Sequence, residues 1–291
     1  MITDSIIIMA AGLSSRMKKN ISSDKINNNQ KIIADTKSKS LIGFGPQSKP
    51  FISFLISNIY ESGFRNIYLV VPENSNDFQI QLNKSSESYA GCKIKYATQT
   101  VPNTRKKPLG TSDAVYQTME QHPELKSKPF CVCNGDNLYS IKSFKKIRLS
   151  KFNYAFIAYE REGLKFDEKK VSSFSLTQLD SKNRLLDIIE KPTINKIHFR
   201  LEKGQKIRVN MNLLKFGAES SYYFFKSCPI NKKRDEKEIA DVILSIVRSN
   251  KNHFYGISLS EHVPDLTSKN DIQFVEKFLK YFFSFLTLMN H

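Results

Sequence analysis

Three largely apolar runs constrain the fold most: Ser5 to Ala10, Asn66 to Val71, and Phe130 to Cys133. Each has the length of a strand and lacks the polar alternation of a half-solvated one. Such runs fit strands covered on both faces, as in a parallel sheet flanked by helices. Helical patterns fall between them. Pro50 opens a stripe of Phe51, Leu55, Ile59 and Tyr60, closed by Gly63 where a left-handed cap belongs. Lys93 to Thr98 reads as a further strand, and Thr111 to Gln121 as a helix capped by its threonine. Strand and helix in alternation define an α/β chain.

Beyond about residue 150 the pattern shifts toward strands at Tyr154 to Tyr159, Val171 to Leu179, Leu185 to Ile189 and Arg208 to Phe216, with a turn at Asp180-Ser-Lys-Asn183. A small antiparallel layer is expected there, followed by helices at Ser220 to Lys226 and Glu236 to Ser249. Lys18 to Lys49 carries seven Lys against two Asp and reads as a mobile, solvated loop. The chain of 291 residues reads as one domain. Its end, 268–291, is an apolar helix striped by Phe274, Phe278, Phe282, Phe285 and Met289 and widened by Val275, Leu279 and Leu286. So broad a stripe packs on the parent domain or forms a homo-oligomer interface.

Forty-five Lys and Arg against 28 Asp and Glu give a formal charge of +17, which favours anionic ligands. Nucleic acid is not the expected one, because Lys exceeds Arg and no exposed aromatics alternate with Arg. No run reaches the roughly 20 apolar residues of a membrane-spanning helix, and Ile6 to Ala11 lacks the preceding basic residues of a secretory leader. Four cysteines without a C-x-x-C pair, and five scattered His, give no zinc spacing. Reduced thiols in a cytoplasmic protein are expected.

Chemistry begins where the first strand ends, at Ala10-Ala-Gly-Leu-Ser-Ser-Arg16-Met. Small residues let the backbone approach a phosphate, and Arg16 adds a fixed positive fork. Asp136, in Asn134-Gly-Asp-Asn-Leu-Tyr139, closes a central strand at the end where open α/β sheets bind ligands, and suits a hard cation such as Mg²⁺. Glu190 and Asp265 are further carboxylates able to complete such a site.

The ordered set A-A-G-x-S-S-R-M, K-S-L-I, K-P-L-G-T-S-D-A-V, G-D-N-L-Y, E-K-P, V-N-M-N-L-L-K-F and P-D-L-T-S resembles the sugar-1-phosphate nucleotidyltransferases, and it runs from Met9 to about Ile272. The resemblance implies a Rossmann-like doubly wound mixed sheet. It also implies reaction of a nucleoside triphosphate with a sugar 1-phosphate to give a nucleotide sugar and pyrophosphate. It assigns Ala11, Gly12, Ser14, Ser15 and Arg16 to the triphosphate loop, and Lys39 to the phosphates, with Ser38 replacing the family proline. Gln99 and Gly110, with Thr111 beside them, match the base-reading positions of pyrimidine-using members. Asp136 and Asp265 match the paired metal aspartates; Glu190 matches the residue on the sugar hydroxyls, Lys191 the one on the sugar phosphate, and Asn210 the one over the sugar. Ser14 and Asn212 stand where family members carry Gly.

The reaction fits a chain with five His and no Ser–His or Cys–His pair, because the attacking phosphate has a second pKa of about 6 and needs no general base. Stabilising charge on the transferring group is what remains, a task for Arg16, Lys39, Lys191 and Mg²⁺. The G-D-N-L-Y element leans toward dTTP or UTP. A cytidylyltransferase acting on a non-sugar acceptor, or a non-catalytic relative that binds nucleotide sugars, shares the same motifs.

Overall fold

The computed structural model describes residues 2–19, 26–73, 76–83, 89, 91–193, 195, 208–218, 220–249 and 253–289. In chain order its strands are β1 (Ser5–Met9), β2 (Gly43–Phe44), β3 (Lys49–Pro50), β4 (Asn66–Pro72), β5 (Lys93–Gln99), β6 (Phe130–Asn134), β7 (Ala155–Glu160), β8 (Ser175–Leu179), β9 (Leu185–Ile189), β10 (Arg208–Phe216) and β11 (Tyr255–Leu259). The central sheet runs β11-β7-β10-β6-β1-β4-β5, while β2 and β3 form a separate pair. Neighbours β6, β1, β4 and β5 are parallel, as the apolar runs require, and Ile6 and Ile8 face one buried cluster while Ile7 faces the other. Helices Phe51–Glu61, Ile141–Arg148 and Lys269–Met289 contribute to the first cluster; Thr111–Gln121, Ser220–Lys226 and Ile239–Arg248 contribute to the second. The result is the mixed, doubly wound sheet that was expected.

Strand β10 is antiparallel to both β6 and β7. Its first residues, Arg208 to Asn210, also pair with β8, whereas Leu214 to Phe216 pair with β6. The switch comes at a register break between Asn210 and Leu214, where Asn212 adopts a left-handed φ of +57°. The sheet therefore parts over the middle of β10, between the end of β6 and the start of β8. The antiparallel layer expected in the second half is the β8–β9 hairpin hung on this split.

Several local expectations need correction. The segment Lys18 to Lys49 is not one loop: Asn28–Thr36 is a helix with a full capping box between Asn27 and Gln30, and Gln30 Nε2 donates to the Gly43 carbonyl at 2.9 Å. Residues 20–25 lie outside the described residues. Thr111 does not cap the helix it opens. Gly110 is the cap residue, and the Thr111 hydroxyl instead accepts the Ile239 N–H at 3.1 Å, tying two helix starts together. Val171 to Leu179 is the end of the short helix Glu168–Val171, then a bend, then β8.

The terminal helix buries Ile272, Val275 and Leu279, with Phe278 packed at the edge of the core. Phe274, expected on the packed stripe, is 72% exposed, because helical geometry rotates it away from the 272–275–279 face. The side chains of Phe282, Phe285, Leu286 and Met289 lie outside the described residues. His262 meets this helix through Phe278 and meets Phe166 edge-on at 4.7 Å. Burial lowers its pKa to about 4, so the ring is neutral and its Nδ1 accepts the Lys165 N–H. Among the described residues no helix is long and apolar enough to cross a membrane. All four cysteines are free, and Cys131, Cys133 and Cys228 are buried.

Candidate active site

A cleft of about 520 Å³ opens at the split, lined from the ends of β1 and β6 across to β8, β9 and β10. Every residue assigned a role from the sequence lines it: Ala11, Gly12, Ser14, Ser15, Arg16, Lys39, Gln99, Gly110, Thr111, Asp136, Glu190, Lys191, Asn210 and Asp265.

The turn after β1 is held from both sides, since Ala10 N–H donates to Val70 and Gly135 N–H donates to Met9. A side-chain carbon built at Gly12 would meet nothing within 4 Å, so packing does not demand a glycine there. Gly12 lines the cleft, so the backbone there is open to it. Ser14 takes a left-handed φ of +56°, and its hydroxyl accepts the Lys39 N–H at 3.2 Å, joining the turn to the lysine segment. Ser14 and Asn212 thus both take a left-handed conformation, which is unfavourable for a side chain and open to glycine.

Asp136 lies two residues beyond the end of β6, and Asp265 reaches it through the backbone. The segment 263–267 runs against 136–138: Leu138 N–H donates to Pro264 at 2.9 Å and Leu266 N–H to Asp136 at 2.8 Å, with Asn137 and Asp265 paired as a bridge. Asp265 is 6% exposed and well supplied with donors. Its Oδ1 accepts from Asn137 Nδ2 at 3.0 Å; its Oδ2 accepts from Thr267 Oγ1 at 2.6 Å and lies 2.5 Å from Lys170 Nζ. Asp136 pairs with Lys39. The two carboxylates are hard oxygen donors on adjoining backbone rungs, and no group of three or more His, Cys, Asp or Glu among the described residues could hold a metal. That donor set fits a Mg²⁺ shared with substrate phosphates, the usual arrangement for this ion, and does not fit an all-protein cage.

On the far wall Glu190 is held by Ser175 Oγ at 2.5 Å, with Arg234 3.9 Å away and itself paired to Glu238 at 2.6 Å. Burial, ahead of its charged neighbours, raises the pKa of Glu238. Lys191 has a φ of +43°, so Ser14, Lys191 and Asn212 bring three left-handed side-chain-bearing residues to one cleft. A one-way chain of amides crosses the floor: Asn210 donates to Asn212 at 3.3 Å, Asn212 to Asn134 at 3.4 Å, Asn134 to Asn137 at 2.9 Å, and Asn137 to Asp265. The carboxylate at its end accepts only, which fixes the direction.

At the other end Gln99 is buried, and its Nε2 donates to the Gly110 carbonyl at 2.9 Å and to Asp113 at 3.1 Å. Among the described residues no donor reaches its Oε1, and Gln99 lines the cleft. Gly110 has a φ of +116°, and a side-chain carbon there would stand 2.4 Å from the Lys237 carbonyl. Arg105 to Asp235 and Lys107 to Glu236 zip the 101–110 loop onto the same segment.

The sequence reading missed Lys170, Arg234, Glu238, Ser175, Asn134 and Asn137 as parts of the site. Asn134 and Asn137 flank Asp136 in a motif already singled out, and Thr267 stands within P-D-L-T-S. Lys170, Arg234 and Glu238 lie in charged stretches indistinguishable from solvated surface.

The profile of the nucleotidyl transferase family matches residues 33–262. The chain belongs to that family. Its Gly12 turn and Asp265 lie outside the matched range, and the fold brings both against it. A glucose-1-phosphate adenylyltransferase of Trichlorobacter lovleyi is 23% identical over 160 residues, 54% of this chain. The chain spans only 38% of that relative's length. A UDP-glucose pyrophosphorylase complexed with UDP-glucose superposes with a TM-score of 0.70 and 14% identity, covering 97% of this chain and 99% of the other, a likeness of fold. The family resemblance carried by the seven motifs is borne out. Within the nucleotidyl transferase fold, the cleft occupies the carboxyl ends of the parallel strands, where open α/β sheets bind ligands.

Proposed function

We propose that this nucleotidyl transferase joins a nucleoside triphosphate, UTP or dTTP, to a sugar 1-phosphate. The observation that carries the reading is the meeting of Asp136 and Asp265 on adjoining rungs beside the open Gly12 turn, with Glu190 and Lys191 across the same cleft. Its volume, about 520 Å³, suits a nucleotide-sized ligand. An oxygen of the sugar phosphate attacks the α-phosphorus; a P–O bond forms there, the bond to the β-phosphate breaks, and its electron pair departs on pyrophosphate. Lys191 holds the acceptor phosphate and Glu190, fixed by Ser175, the sugar hydroxyls. Arg16 and Lys39 take the leaving phosphates. Mg²⁺ held by Asp136 and Asp265 would supply positive charge at the α-phosphoryl oxygens. Gln99 Oε1 accepts from the N3–H of uracil or thymine.

A thermal-shift screen of triphosphates with Mg²⁺ tests the base assignment. At a hundred times its dissociation constant a ligand stabilises by about 2.7 kcal/mol. UTP or dTTP is expected to raise the melting temperature by several degrees and more than ATP or GTP. Preference for CTP would favour the non-sugar cytidylyltransferase reading, and no response to any triphosphate would remove the assignment.

A further inference from the structure

We propose that Lys170 is a built-in counter-ion of Asp265 that competes with the divalent cation and sets how tightly the site takes it, an inference that rests on the metal reading above. Lys170 comes from outside the nucleotide-contacting turns. It sits on the short helix Glu168–Val171, whose cap Asp167 accepts the Lys170 N–H at 2.7 Å. Its ammonium lies between two carboxylates, 2.5 Å from Asp265 and 3.1 Å from Asp271, with the Phe166 ring 5.9 Å away.

Neither partner is free to leave. Asp265 is bound by Asn137 and Thr267 as well. The second oxygen of Asp271 accepts the N–H groups of Thr267 and Ser268 at 3.0 and 2.6 Å, and the Ser268 hydroxyl at 3.0 Å, where the terminal helix begins. The Lys170 charge is therefore pinned beside the very carboxylate that would bind the cation. An ammonium on the same carboxylate repels a divalent ion and lowers its affinity by about tenfold or more. Lys170 also spares Asp265 the cost of being buried unpaired. With Lys39 on Asp136, each metal carboxylate has its own lysine. Cation binding is then strongest when a triphosphate brings negative charge of its own.

Calorimetric titration of MgCl₂ into the full chain, wild type, Lys170→Met and Asp271→Asn, with melting temperature followed in parallel, tests the assignment. Lys170→Met is expected to lower the half-saturating Mg²⁺ concentration at least tenfold and to show the larger Mg²⁺-dependent rise in melting temperature. Asp271→Asn keeps the acceptor for Thr267 and Ser268 but leaves Lys170 wholly to Asp265, so it is expected to weaken Mg²⁺ binding. A purely structural lysine would weaken binding in both variants, and that result overturns the proposal. Identical Mg²⁺ affinity in all three proteins overturns it while leaving the metal reading standing; no Mg²⁺ response in any of them, even with UTP present, removes both. Should Lys170→Met fail to fold, Lys170→Gln takes its place: tighter Mg²⁺ binding supports the assignment, and unchanged or weaker binding rejects it.

Discussion

Asp136→Ala is expected to lower the rate of pyrophosphate release by at least about a thousandfold while costing the fold little. Loss of one preorganised electrostatic contact typically costs a hundred- to a thousandfold, and this variant also removes one of the two carboxylates available to Mg²⁺. Asp136 contacts Lys39 at the edge of an open cleft, its side chain 23% exposed, so water can replace the partner that Lys39 loses. Asp265→Ala serves as the contrast. It is expected to be equally inactive but to lose about 1–3 kcal/mol of stability, because it leaves the polar groups of Asn137 and Thr267 without their acceptor and Lys170 with Asp271 alone. A coupled pyrophosphate assay and urea melts on both variants measure the two effects separately. Appreciable activity in Asp136→Ala would reject its role, and equal stability of the two variants would reject the energetic distinction.

The second large effect separates two glycines of the same cleft. Gly12→Val is expected to leave the melting temperature within about two degrees of wild type, because nothing lies within 4 Å of the added carbon. The same side chain fills the space at the turn proposed to take phosphate, so the KM for the triphosphate is expected to rise at least a hundredfold. Gly110→Ala is expected to fail in the opposite way. Its φ of +116° is denied to alanine and the added carbon would strike the Lys237 carbonyl, so a loss of at least about 2 kcal/mol of stability is expected together with a disordered base pocket. Paired melts and triphosphate titrations decide. A Gly12→Val protein that binds triphosphate normally would move the phosphate site elsewhere.

Much of this was legible in the sequence because it is local. The apolar runs that became β1, β4 and β6 carry their burial in their composition, and Gly-Asp-Asn after β6 carries its position. Strand β11 escaped notice because Tyr255–Leu259 reads as weakly alternating, and only pairing with β7 makes it a strand. The helices Asn76–Asn83 and Ile141–Arg148 were likewise passed over, the latter because its basic residues hide the buried pair Phe144 and Ile147. The helix Asn28–Thr36 is hidden by a polar composition that reads as loop, although Asn27 and Gln30 carry the capping spacing. Asp265 was found through a motif, but the reason for its place, a two-rung backbone bridge to 136–138, is a long-range contact that no local pattern announces. Lys170 is the same case. Nothing adjacent to it in the chain marks it, over Lys169, as the lysine that reaches Asp265.

Phosphorus NMR of the wild-type protein with Mg²⁺, UTP or dTTP, and a panel of sugar 1-phosphates tests the central claim most directly. The expected spectrum loses the triphosphate and sugar-phosphate signals together and gains, in equal amounts, free pyrophosphate and the paired resonances of a sugar nucleotide. Release of inorganic phosphate alone, or unchanged spectra across the whole panel, would contradict it.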